Sequence, residues 1–364
     1  MRIDRRGARA GADFRRAVDE WGSSEPDRRS FDGFERFRAR RLRNRRIAAG
    51  VVAATVTVAS VVLVARAFGP VSRGPASTAE ARGVILYGDW DPDVQLARWY
   101  TVRPDGSDQR DLNLIATCAV WFPDGSAILT TDDAAAATGH RLRPAVVDPD
   151  GSNFRRLDAV RNRDLNLGCG DMSPDGTRIA VEGFGQEGHP ELDGIYTLDA
   201  SDGGALSLLR AGTVAPPRYS PDGARLCYFG TKEGVSPTGS GALFVMRADG
   251  TDPVRITPWG FAFDDHAWSP DGRWIVFQRP FGQLYLVRPD GSGLHRIPIE
   301  LPPGTGALNP SWSPDGAWIA FSLQRDDSAA IALVRPDGTR LRTVPTTVGD
   351  QQQSPSWATR SASR

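Results

Sequence analysis

The sequence predicts an all-β protein, a six-bladed β-propeller over residues 84–358, preceded by one transmembrane helix and a short helical cytoplasmic head. Three observations support this prediction. A repeat of roughly 40–50 residues fills the chain beyond Gly83. Each copy contains Asp-Gly turns typical of β-hairpins. Upstream of the repeat lies an uncharged, largely apolar run of 19 residues, long enough for a membrane span.

The head, residues 1–46, is strongly basic. It contains 15 Arg and 8 Asp or Glu, a charge of +7, and since the whole chain has 44 residues of each sign, the remainder carries −7. This asymmetry favours membrane topology over nucleic-acid binding. The head is expected to be partly helical or disordered. Its aromatic residues would rest in the lipid interface or dock on a cytoplasmic regulator, and the sequence leaves both readings open.

Residues 47–65 read IAAGVVAATVTVASVVLVA and predict the transmembrane helix. At 1.5 Å per residue the run spans about 28 Å, close to the thickness of the hydrocarbon core. A cleaved signal peptide is the alternative, but the preceding 46 residues and the length of the run favour a retained anchor. The arginines before the run predict that the N-terminus is cytoplasmic and that the propeller is extracytoplasmic, so that the protein spans the cell membrane once. Residues 66–83 are expected to form the linker between the membrane helix and the propeller.

The repeat has two alternating elements. The first is an aromatic or Met residue, then Ser-Pro-Asp-Gly or Phe-Pro-Asp-Gly, then an apolar run; its five copies begin at Trp121, Met172, Tyr219, Trp268 and Trp312. The second is an alternating apolar strand that ends in Asp-Gly; its six copies end at Gly106, Gly151, Gly203, Gly250, Gly291 and Gly338, spaced 41 to 52 residues apart. Pro, Asp and Gly suit successive turn positions, so most of these aspartates are expected to be structural.

The count of five against six predicts how the ring closes. Ser354-Pro355-Ser356-Trp357 matches the segment that leads into the last copy, Asn309-Pro310-Ser311-Trp312, whereas Val84-Ile85-Leu86-Tyr87 matches the apolar run that should follow it. One blade is therefore predicted to take its innermost strand from residues 354–358 and its other three from 84–115. Residues 359–364 form a tail. Closure of this kind leaves no open sheet edge at the join.

These motifs resemble the TolB-like, WD-type propeller repeat, over about three quarters of the chain. The resemblance implies a propeller and leaves its function open, since the same repeat also occurs in prolyl-oligopeptidase-like enzymes and oligogalacturonate lyases. The stretch RRLRNRRIAAGVV is also similar to that of membrane propellers encoded beside extracytoplasmic-function sigma factors.

Catalytic motifs are lacking in the sequence. It contains no G-x-S-x-G and no P-loop, and neither a catalytic residue nor a cofactor is predicted. Asp89, Asp91 and Asp93 alternate as in calcium loops, but Val94 replaces the Gly of the sharp turn and Tyr100 the final Glu, so no metal site is predicted either.

Aligning the repeats places six residues in a ring at the mouth of the central channel: Cys118, Cys169, Pro216, Asp265, Asn309 and Ser354. Neighbouring side chains make one arc acidic and polar, and the predicted ligand-binding residues are Asp171, Asp264, Asp265, His266 and Asn309. Cys118 and Cys169 are candidates for a disulfide in an exported domain. Against this, equivalent positions on adjacent blades can exceed the Cα separation of about 7 Å that a disulfide allows.

Three functions fit this sequence. We favour a non-catalytic, membrane-tethered propeller that binds a protein, peptide or envelope ligand outside the cell. The alternatives are an anti-sigma-like transmembrane regulator with the propeller as its sensor, and a propeller lyase acting at the channel mouth. No nucleic-acid partner is expected.

Overall fold

A computed structural model describes residues 81–359 except 92–95, 134–140, 160–163, 186–188, 213–215, 232–240, 280–281 and 327, and it leaves the side chains of Phe263 and Asp264 undescribed. The predicted head, membrane span and most of the linker and tail lie outside these residues. Within the described part of the chain, no helix is both long enough and apolar enough to cross a bilayer.

The described residues form 24 strands in six four-stranded sheets, the blades, in which every pair of neighbouring strands is antiparallel. Blade 1 contains β1 (Val84–Asp91), β2 (Leu96–Val102) and β3 (Arg110–Ala116). Blade 2 contains β4 (Ala119–Trp121), β5 (Ile128–Thr131), β6 (Pro144–Val147) and β7 (Arg155–Arg156). Blade 3 contains β8 (Leu165–Met172), β9 (Arg178–Gly185), β10 (Gly194–Asp199) and β11 (Ser207–Ala211), with a 3-10 helix at Pro190–Leu192.

The second half of the ring repeats this arrangement. Blade 4 contains β12 (Arg218–Tyr219), β13 (Arg225–Gly230), β14 (Ala242–Arg247) and β15 (Val254–Arg255). Blade 5 contains β16 (Phe263–Trp268), β17 (Ile275–Arg279), β18 (Gln283–Val287) and β19 (His295–Arg296). Blade 6 contains β20 (Thr305–Trp312), β21 (Ile319–Arg325), β22 (Ser328–Val334) and β23 (Arg342–Thr343). The last strand, β24 (Gln352–Ala358), returns to blade 1.

The predicted closure is confirmed. Strand β24 pairs antiparallel with β1, with Trp357 opposite Ile85 and Ser356 opposite Leu86. The sheet order of blade 1 is β24-β1-β2-β3, so its innermost strand comes from the end of the chain, as the count of repeat elements predicts. The ring therefore has six complete blades.

The turns of the repeat show why their aspartates are structural. In the turn at Ser269–Gly272, the Asp271 carboxylate accepts hydrogen bonds from the Ser269 hydroxyl at 2.6 Å and from the Arg273 backbone N–H at 3.0 Å. The first of these bonds is the main reason that the pKa of Asp271 lies below its ordinary value. Gly272 ends the turn at φ 66°, a left-handed conformation that glycine adopts without steric cost.

The core lies between adjacent blades. Trp268, which precedes one of these turns, packs in a buried cluster with Cys227 and Phe229 of blade 4 and Phe277 of blade 5. Burying one such large apolar side chain stabilises a fold by roughly 1.5–3 kcal/mol. The repeated aromatic position thus joins neighbouring blades and fixes the six inner strands around the axis.

Candidate functional site

The six inner strands surround a central cavity of about 430 Å³. Side chains two residues apart on a strand project from the same face, so each inner strand presents alternate residues to this channel. At one end the channel is lined by Pro123, Pro174, Pro221, Pro270 and Pro314 from the repeat turns. The other end is the mouth.

All six residues of the predicted ring line this cavity: Cys118, Cys169, Pro216, Asp265, Asn309 and Ser354. Four of the five predicted ligand-binding residues line the cavity: the ring members Asp265 and Asn309, together with Asp171 and His266. The backbone of Asp264 belongs to β16, and its side chain lies outside the described residues.

A second ring lies two residues further along each strand. It consists of Val120, Asp171, Arg218, Ala267, Ser311 and Ser356, all of which line the cavity. Arg218 is not among the predicted site residues, although its position two residues after Pro216 on an inner strand is a signal that could have identified it. Arg218 brings a positive charge into an arc that was expected to be acidic. Its guanidinium donates a hydrogen bond to the Gly170 carbonyl at 2.8 Å.

Register shifts fall at ring residues on four inner strands: Cys169 of β8, Asp265 of β16, Asn309 of β20 and Ser354 of β24. In blade 6 the register shifts between Leu308 and Ser311, and in blade 1 the shift falls opposite Ser354. Asn309 and Ser354 occupy equivalent positions in these irregularities, with φ of 52° and 51°. A bulge bends its strand and redirects one side chain, which explains why these two residues turn towards the channel.

Asn309 is held by contacts with blade 5. Its backbone N–H donates to the side-chain oxygen of Gln278 at 2.5 Å, and its side-chain amide donates to the carboxylate of Asp265. The residue is only 5% exposed. Its side-chain oxygen is buried and accepts no hydrogen bond from the described part of the chain.

Asp171 lies in the second ring, next to blade 4. Its carboxylate accepts a hydrogen bond from the Tyr219 backbone N–H at 2.8 Å. Burial raises the pKa of Asp171 above its ordinary value, whereas the nearby charge of Arg218 and the bond from Tyr219 oppose that shift.

The raised pKa predicts a pH-dependent effect of Asp171→Asn. The folded state holds the Asp171 proton more tightly than the unfolded state does. The contribution of this carboxyl group to the stability of the fold is therefore most favourable below its pKa in the unfolded state and is lost as pH rises through its pKa in the folded state. We therefore expect the stability of the variant relative to wild type to be greater at pH 7 than at pH 3.5. Chemical denaturation of both proteins at the two pH values measures this difference. A difference that is the same at both values, or larger at pH 3.5, would contradict it.

His266 is buried, and its ring nitrogen Nε2 lies 3.0 Å from the Cys227 carbonyl oxygen. Because a carbonyl can only accept, Nε2 carries the proton in this contact. The bond joins blade 5 to blade 4 beside the channel. This contact gives His266 a structural role.

Cys118 and Cys169 are joined by a disulfide, with their Cα atoms 6.1 Å apart. The bond links the inner strands of blades 2 and 3 at the mouth ring. Cys227 is a buried free thiol whose pKa is raised by burial. Among the described residues, no group of three or more His, Cys, Asp or Glu is placed to hold a metal ion.

The six blades and the channel between their inner strands define this protein as a six-bladed propeller with an axial cavity. The family model for the TolB beta propeller domain matches residues 133–362, more than half of the chain. The chain therefore belongs to the TolB-like propeller family.

The chain is also similar to individual proteins. The uncharacterized protein Atu1656 of Agrobacterium fabrum is 28% identical over 257 residues, which cover 65% of this chain and 79% of that protein. The uncharacterized peptidase YuxL of Bacillus subtilis is 27% identical over 114 residues, 30% of this chain and only 17% of that protein. TolB from Acinetobacter baumannii shares the fold with a TM-score of 0.59 at 18% identity, over 76% of this chain and 67% of that one.

Proposed function

We propose that this protein is a non-catalytic binding propeller whose channel mouth receives part of a protein or peptide ligand. The observation that carries the proposal is the cavity of about 430 Å³, lined by all six inner strands. Its wall combines carboxylates at Asp171 and Asp265, a guanidinium at Arg218 and an amide at Asn309. Such a mixture of donors and acceptors on a rigid concave scaffold suits recognition of peptide groups.

The proposal places the propeller outside the cytoplasm, tethered to the cell membrane through residues 47–65. The apolar run and the arginines before it support this placement. A disulfide between Cys118 and Cys169 supports it independently, since disulfides persist mainly in oxidising compartments.

Filling the channel tests the proposal. Ser311→Tyr adds an aromatic ring to the second ring of the channel, and we expect it to reduce recovery of cross-linked ligand from intact cells at least tenfold. Ser201→Tyr is the matched control, because Ser201 is exposed in a turn and does not line the cavity. Mass spectrometry would compare the proteins recovered with wild type and with each variant.

Partners that are lost with Ser311→Tyr and kept with Ser201→Tyr would support binding in the channel. Equal recovery with both variants would contradict the proposal. Circular dichroism of the purified variants would verify that both keep the β-sheet signal of the wild type.

A further inference from the structure

The side-chain amide of Asn309 is held in a fixed orientation, and only its nitrogen has a hydrogen-bond partner in the described part of the chain. Three constraints fix it: the left-handed backbone at φ 52°, the bond from its N–H to Gln278, and the bond from its side-chain nitrogen to Asp265. The remaining atom, Oδ1, is a buried acceptor without a partner in the described part of the chain. Buried acceptors of this kind are uncommon in folded proteins, and each calls for an explanation.

The geometry determines what could pair with this oxygen. An amide oxygen only accepts hydrogen bonds, so its partner must be a donor. Asn309 lines the channel together with Asp265, whose carboxylate adds a negative charge beside the amide. Asp171 adds another carboxylate in the second ring, while Arg218 on the same arc is directed to the Gly170 carbonyl. A donor that is also positively charged satisfies both the oxygen and the nearby carboxylate.

We propose that Asn309 and Asp265 bind a primary ammonium group of the ligand, supplied by a lysine side chain or by the amino terminus of a peptide. An ammonium carries three N–H donors and can therefore bond to the amide oxygen and a carboxylate oxygen together. This inference rests on the proposed function, and it names the chemical group that the channel mouth selects.

Three synthetic peptides test the proposal on the full chain. The first is tetraglycine amide with a free amino terminus, the second is acetyl-Gly-Gly-Gly-Lys amide, and the third is the neutral acetyl-tetraglycine amide. NMR titration of the tryptophan indole N–H signals reports binding, since Trp121 and Trp312 line the cavity. We expect at least one charged peptide to bind ten or more times as tightly as the neutral one. Preference for the first peptide identifies an amino terminus as the source, and preference for the second identifies a lysine.

Two glycine variants, one at Asn309 and one at a control position, test the role of Asn309 in peptide binding. Asn309→Gly removes the unpaired acceptor, and Asn153→Gly makes the same substitution at an exposed turn residue that does not line the cavity, where φ is 54°. Glycine adopts these φ values without strain, so both variants should fold. We expect Asn309→Gly to weaken binding of the preferred charged peptide at least tenfold and Asn153→Gly to change it less than twofold. Asp265→Asn keeps an acceptor for the Asn309 amide but removes the charge, and it should weaken binding to a similar degree.

Equal affinity for all three peptides, no binding by any of them, or equal effects of the two glycine variants would overturn the ammonium assignment. If that happens while Ser311→Tyr still abolishes ligand recovery, the channel binds its ligand through other groups. Should recovery also be insensitive to Ser311→Tyr, the proposed function fails as well.

Discussion

Replacing Trp357 with alanine is expected to lower the free energy of unfolding by about 3–5 kcal/mol, the usual cost of deleting a buried indole. Trp357 is 8% exposed and packs in one cluster with Ile85 and Tyr87 of blade 1 and Trp318 of blade 6. Its indole N–H also donates to the Arg82 carbonyl at 2.9 Å. The substitution therefore weakens the strand that closes the ring and the contact between the first and last blades together.

Urea denaturation followed by tryptophan fluorescence and by circular dichroism measures this loss. Phe154→Ala is the control, because Phe154 is 47% exposed and surface substitutions usually change stability by no more than about 0.5 kcal/mol. A similar, small effect of both substitutions would show that the closing strand adds little to the stability of the ring.

The second large effect is expected from removing the disulfide. Cys118 and Cys169 are 51 residues apart in the sequence. For a loop of that length the chain-entropy model predicts that the bond stabilises the fold by about 4 kcal/mol. The double variant Cys118→Ser/Cys169→Ser should therefore unfold at a markedly lower denaturant concentration than the oxidised wild type.

Reduction provides the control for this prediction. In dithiothreitol the wild type should lose most of its advantage, so that its unfolding midpoint approaches that of the double variant. A midpoint for the double variant equal to that of the oxidised wild type would show that neighbouring blades are held together sufficiently by their apolar contacts.

The architecture could be predicted from sequence because the repeat specifies it many times over. Each copy combines a turn in which Pro and Gly favour defined backbone angles with an aromatic residue that reaches the next blade, as Trp268 does. The closing strand was also predictable, since Trp357 carries the aromatic position that the first blade lacks at the start of the chain. The turn residues of each copy and the count of repeat elements both predict the same architecture, and such agreement makes a fold predictable from its sequence.

The site was only partly predictable. Repeat alignment identifies which residues reach the channel, because equivalent positions on the inner strands share one geometry. It does not identify the bond between Asn309 and Gln278 or that between Asn309 and Asp265, since these join residues 31 and 44 positions apart on neighbouring blades. The bulge at Asn309 was not apparent either. Asparagine tolerates the left-handed conformation, but it does so in many settings and gives no specific signal.

The pairing of β24 with β1 also governs when the protein can fold during its synthesis. Blade 1 remains one strand short until residue 358 has left the ribosome, so a nascent chain that ends within blade 6 presents the unpaired edge of Val84–Asp91. An edge of this kind is a template for pairing with other chains. Synthesis of strand β24, rather than the emergence of any earlier blade, is therefore the event that commits the ring to its final form.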